Sequence, residues 1–169
     1  MDRITKSLQD YLKTSDIKFE ATKNKDTSNC KTSTFFELSD TNNSKTMTVL
    51  VEVSPETHTI YITGSPHIIN INKDIEILKC FEAEWNHSPR LTSLSIVKES
   101  IDDFYKWYNI QLYSVILSDG LGLTRLLWHK YLDVFFNETL QIWEYASLSD
   151  DNVSEKKDEN QLPPIESNL

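Results

Sequence analysis

The chain has 169 residues and a net charge of −9, a length that suits one domain whose single core buries about 70% of the surface an unfolded chain exposes. The charge repels phosphate backbones and anionic membrane surfaces. No run of Lys and Arg offsets it, so nucleic acid is not an expected partner.

No segment reaches the roughly 18 consecutive apolar residues of a membrane span. The start, MDRITKSLQDYL, is amphipathic and carries acids, without the apolar centre of a secretory signal, and reads as the start of a cytoplasmic protein. Ile4, Leu8, Tyr11 and Leu12 predict a short helix over 2–14. Ile17, Phe19 and Ala21 alternate with Lys18 and Glu20, a brief strand-like pattern that runs into the polar loop TKNKDTSNCKTS. Strands are predicted at 34–38, 46–54 and 58–64. In the second, Met47, Val49, Val51 and Val53 alternate with more polar neighbours, the period of a sheet with one buried face. TNNSK and PET supply hairpin-length connections.

After Pro66 the period changes to 3.6. Asn72 is placed to cap a helix whose face holds Ile75, Leu78, Phe81 and Trp85, widened by Ile77 and Cys80 into a surface buried on two sides. RLTSLSIV and FYKWYNIQLYSVIL read as two further strands around the turn KESIDD. A last helix runs from beyond Gly122 to about Ala146. Leu123, Leu127, Tyr131, Val134, Phe135, Ile142 and Trp143 are its apolar residues, and Arg125, His129, Asp133, Asn137 and Gln141 form a narrow water-facing strip. From Ser147 the sequence is polar, acidic and aperiodic, which predicts a single domain over 1–146 and a disordered acidic tail over 147–169. Adjacent antiparallel strands interrupted by single helices give an α+β fold of order α-β-β-β-α-β-β-α, with about five strands.

Two stretches carry a family resemblance. In LKCFEAEWN, Phe81, Trp85 and Asn86 form a helix end with an aromatic and an Asn before a hairpin; SVILSDGLGLTRLLWHKYLDVFFNETLQIW reads as last strand, glycine bend and closing helix. Together with the element order they resemble the YbjN family, whose fold is similar to that of the type III secretion chaperones. The resemblance covers roughly residues 2–146. It implies a non-enzymatic, protein-binding role with self-association, and no catalytic residues.

Chemical motifs are scarce. After the glycines of LSDGLGLTRLLW a phosphate loop needs Lys followed by Ser or Thr, where this chain has Leu123 and Thr124. The dinucleotide fingerprint needs a small residue where Arg125 stands. Gly120 and Gly122 are therefore expected to form a structural bend. His58, His67, His87 and His129 lack paired spacing, Cys30 and Cys80 lack metal-ligand spacing, and Asp102 and Asp103 read as a solvated turn. Cys80, in an apolar face, is expected to be inert packing. No metal or cofactor is expected.

The aromatic strand is more informative. Tyr105, Trp107 and Tyr113 share one face, and Phe104, Tyr108, Ile110, Leu112 and Ile116 share the other. If helices cover only one side of the sheet, the first face is either buried by a further helix or offered to a partner. The preferred expectation is a partner-binding surface of Tyr105, Trp107, Tyr113, Phe81 and Trp85 in a chaperone-like, assembly or regulatory factor that pairs with another protein or a second copy as a homodimer. The alternative is a small-molecule or nucleotide-binding sensor or enzyme using the Gly120/Gly122 bend. LPPI in the tail is a weak polyproline docking motif, and a solubilising tail is the plainer reading.

Overall fold

The computed structural model describes residues 2–23, 31–40, 45–68, 71, 73–102, 105–119 and 122–147; the side chains of 98–102, 105–107 and 147 lie outside that description. Helix α1 (Arg3–Thr14) opens on Asp2, whose carboxylate accepts the Thr5 N–H at 2.7 Å and satisfies one orphan donor of the first turn. Ile4, Leu8, Tyr11 and Leu12 are buried, as their spacing predicts. Four strands follow, β1 (Phe19–Lys23), β2 (Thr32–Asp40), β3 (Lys45–Ser54) and β4 (Thr59–Pro66), then α2 (Ile75–His87), β5 (Ser93–Asp102), β6 (Tyr105–Leu117) and α3 (Arg125–Ser147).

The strands make one open antiparallel sheet in the order β1-β2-β3-β4-β6-β5. The class is the expected α+β, with six strands. The added one, β1, is a five-residue edge strand that among the described strands pairs with β2 alone and is mostly exposed, so its apolar pattern is short. KESIDD is not a turn as far as Asp102: β5 continues through it, with a register irregularity between Glu99 and Asp102.

Alternation separates the two faces of the sheet. Phe36, Met47, Val49, Val51, Val53, Ile60, Ile62, Leu94, Ile96, Ile110 and Leu112 are buried, and they share one core with Leu8 and Leu12 of α1, Leu78 and Trp85 of α2, and Trp128, Leu132, Phe135 and Ile142 of α3. The helices therefore cover one face. Phe135 crosses the sheet where β4 has Gly64; an added Cβ there would overlap the Phe135 ring and come within 2.8 Å of Met47 Sδ. The glycine is a space for the ring. The Thr139 hydroxyl, one turn on, donates to the Phe135 carbonyl at 2.9 Å and lies 3.0 Å from Met47 Sδ.

Two helices differ from expectation. Helix α2 has Asp74 at its N-cap position, and Asn72 lies outside the described residues. Its buried stripe is narrow: Leu78 and Trp85 are buried and Phe81 is half-buried, whereas Ile77 and Cys80 are exposed. Only one side of α2 meets the sheet, so the expected packing of Cys80 is corrected. On α3 the core stripe is Trp128, Leu132, Phe135, Thr139, Ile142 and Ala146, and Leu127 and Val134, expected to be buried, face solvent along with Leu126. The water-facing strip is wider than Arg125, His129, Asp133, Asn137 and Gln141, because α1 and α2 flank α3 over different parts of its length.

Candidate functional site

The face of the sheet opposite the helices carries its own apolar row. Register places Phe35, Leu50, Thr63 and Tyr113 side by side across β2, β3, β4 and β6, with Glu52, Tyr61 and Val115 in the next row. Phe35, Tyr61, Tyr113, Val115 and Leu117 are exposed. Tyr113, at 43% exposure, answers the question the aromatic strand raises: among the described residues no helix covers its side of β6. Tyr105 and Trp107 lie at the start of the same strand, and their side chains are outside the described residues. Lys31 Nζ lies 5.7 Å from the Tyr61 ring centroid, a cation–π contact at the surface.

Phe81 and Trp85 are placed elsewhere. Trp85 is 2% exposed and its indole N–H donates to the Thr92 carbonyl at 3.2 Å. Arg90 caps its ring at 3.9 Å. Phe81 stacks on Tyr145 of α3, centroids 3.8 Å apart and planes within 8°, and Lys73 lies 4.8 Å over Tyr145. This ladder joins α2 to α3 inside the molecule. The structure therefore separates the five proposed contact residues: Tyr113 faces solvent and the α2 pair serves internal packing.

The outer edge of β5 is closed by side chains. Asn86 donates from Nδ2 to the Leu94 carbonyl at 2.9 Å and accepts the Leu94 N–H at Oδ1 at 2.8 Å, as a neighbouring strand would. Glu82 accepts the Ile96 N–H at 3.3 Å. Glu138 of α3, itself buried, accepts from the N–H groups of Leu91 and Thr92 and from the Thr92 hydroxyl. Unpaired edges invite association with other strands, and here the invitation is withdrawn. Asn86 stands at the helix end of LKCFEAEWN, where its spacing before a hairpin is visible in the sequence; the spacing of Glu82 and Glu138 does not convey their roles. The signal for Glu138 was present: with Thr139 it interrupts the apolar α3 with polar residues on its buried side, and such groups need partners.

Asn86→Ala is expected to lower stability by about 1–2 kcal/mol, the worth of two partly buried hydrogen bonds, checked by urea titration. Asn86→Asp should not restore it, since a carboxylate cannot donate to the Leu94 carbonyl.

The glycine bend is structural where it is described. Gly122 has φ +87°, and a Cβ on it would lie 2.9 Å from the Arg3 carbonyl oxygen and 3.1 Å from Ser7 Oγ. Its backbone abuts α1, and Gly120 lies outside the described residues. Thr124 follows, accepting the Leu127 N–H at 3.3 Å and opening α3. A surface groove of about 630 Å³ lies at the β1–β2 side of the sheet, lined by Asp16, Phe19, Glu20, Phe35 and Glu37 among others. Among the described residues no group of three His, Cys, Asp or Glu side chains is placed to hold a metal ion, and no helix is long and apolar enough to cross a membrane. Comparison of the chain with family models, with curated proteins and with solved structures gives no match.

Proposed function

We propose that this protein is a non-enzymatic binding module, a chaperone-like or assembly factor, that receives an apolar protein segment on its open sheet face. The observation that carries the reading is the uncovered patch of Phe35, Tyr61 and Tyr113, in two adjacent rows of an antiparallel sheet whose described helices all lie behind it. Aromatic side chains on a strand lose little conformational freedom on binding and dominate interface energies. Exposed Glu20 and Glu37 on β1 and β2, and Glu52 beside Tyr61, favour a partner with basic flanks. The resemblance to the YbjN family supports the same reading.

The test is a paired capture experiment. Tyr61→Ser/Tyr113→Ser should retain the native circular dichroism spectrum and lose at least tenfold of the proteins captured by the native chain, counted by quantitative mass spectrometry. Equal capture by both, or none by the native chain, would overturn the reading.

A further inference from the structure

The polar strip of α3 that begins at Arg125 borders a cleft between α1, α3 and the end of β2. One hollow of about 490 Å³ is lined by Tyr11, Ser15, Arg125, Leu126 and His129. A second, of about 150 Å³, shares Tyr11 and His129 with it and continues past Asp133 over Leu38, Leu132 and Phe136. Hollows of this scale take small molecules.

Tyr11 sets the chemistry of the cleft. Its side chain is 7% exposed and lines both hollows, yet its hydroxyl has no hydrogen-bond partner among the described residues. Among those residues no partnerless polar side-chain atom is sealed from solvent, so this hydroxyl opens into the cleft. A buried tyrosine ordinarily gives its O–H to a protein acceptor; here the donor is left for an incoming group. Arg125 and His129, one turn apart on α3 and lining the same hollow, also make no side-chain hydrogen bond or ion pair among the described residues. Ser15 adds a second hydroxyl.

These groups are donors. A guanidinium has five N–H groups and no acceptor, and two hydroxyls and an imidazole N–H can turn toward the same anion. The C-terminal end of α1 at Ser15 suits a cation and the N-terminal end of α3 at Arg125 suits an anion. The two fields oppose each other where the helices meet, which leaves the guanidinium as the charge of that hollow. Asp133, two turns from Arg125 and about 12 Å along the helix axis, gives the cleft a direction, because its carboxylate repels a second anion from the far hollow. Between the two charges lie Leu132, which is buried, and Leu38 and Phe136, which are half-buried.

We infer that this cleft is a small-molecule site for an anion with one charged head and an apolar body, a carboxylate or a phosphate ester. Arg125, Tyr11 and His129 hold the head, and the body lies on Leu38, Leu132 and Phe136. The donors select the head, Asp133 limits the ligand to one, and the floor of the second hollow selects the body. A ligand of about ten non-hydrogen atoms in so open a cleft suits a dissociation constant on the order of 0.1–1 mM. Phe35, Tyr61 and Tyr113 take no part in it, so this site and the open sheet face can fail separately.

Isothermal titration calorimetry of the full chain with octanoate and with octyl phosphate provides the test, with 1-octanol as the same body without the charge. At least one anion should bind with a dissociation constant below about 1 mM, and 1-octanol at least tenfold more weakly; the tighter of the two anions identifies the head. Arg125→Gln should raise that constant at least tenfold and Tyr11→Phe at least threefold, each with the native circular dichroism spectrum, since neither side chain has a polar partner to lose. A merely structural role for either group would leave the constant unmoved. Tyr61→Ser/Tyr113→Ser should bind as the native chain does. Absence of binding by both anions at about 10 mM, equal binding of 1-octanol, binding that survives either cleft substitution, or a loss confined to the open-face variant overturns the inference.

Discussion

Phe135→Ala is expected to lower the unfolding free energy by about 3–5 kcal/mol, the range for deleting a fully buried aromatic ring, and urea titration with an unchanged m-value would establish it. The size follows from position. Phe135 is fully buried and lies over the gap that Gly64 leaves in β4, so no neighbouring Cβ stands ready to fill the vacated space. The same contact predicts a reciprocal effect. Gly64→Val should cost about 1–3 kcal/mol by overpacking against Phe135 and Met47, and Phe135→Leu should relieve part of it. A double-mutant cycle with additive effects would show that the ring and the glycine are not coupled.

The second large effect is expected at Glu138. Replacing it by Ala leaves the N–H groups of Leu91 and Thr92 and the Thr92 hydroxyl without their acceptor, at a cost of about 2–4 kcal/mol for bonds to a charged group in a buried setting. Glu138→Gln keeps one acceptor oxygen and should fall between. Beyond stability, the Ala variant frees the entrance to β5, so its scattering on warming should rise before its circular dichroism changes. Two-state unfolding with native stability would contradict the role given to this side chain.

These effects show which parts of the molecule its sequence discloses. The alternation of Met47, Val49, Val51 and Val53 forces a strand with one buried face, and each of the four is buried. The helices at both ends follow from apolar spacing alone. What spacing does not convey is where a neighbour stops. Leu127, Tyr131 and Val134 have the periodicity of buried residues, and they would be buried if α2 extended one or two turns further along α3; Cys80 and Ile77 likewise widen a helix face of which the sheet touches only part. Periodicity reports that a surface is apolar, and the length of the element beside it decides whether that surface meets protein or water. Polar groups on buried faces are the converse. Glu138 and Thr139 are costly to bury unpaired, so their position implied partners, but their being Thr92 and Met47, 46 and 92 residues away, is a matter of topology. For the open face, Tyr113 was legible from the double-faced pattern of β6, and Trp85 was misplaced because an aromatic residue reads alike in a core and at an interface.

One contact bears on the history of each molecule as it is made. Trp128 donates its indole N–H to Ser7 Oγ at 3.0 Å, across 121 positions of sequence, and Gly122 fits against the Arg3 carbonyl. Of the described helices, the one made earliest therefore rests on the one made latest. A twelve-residue helix is marginal by itself, and at ribosomal speeds its resting place arrives on the order of ten seconds after it does. During that interval α1 is a greasy, half-formed segment waiting for α3, and it is secured only when the translation of α3 is done.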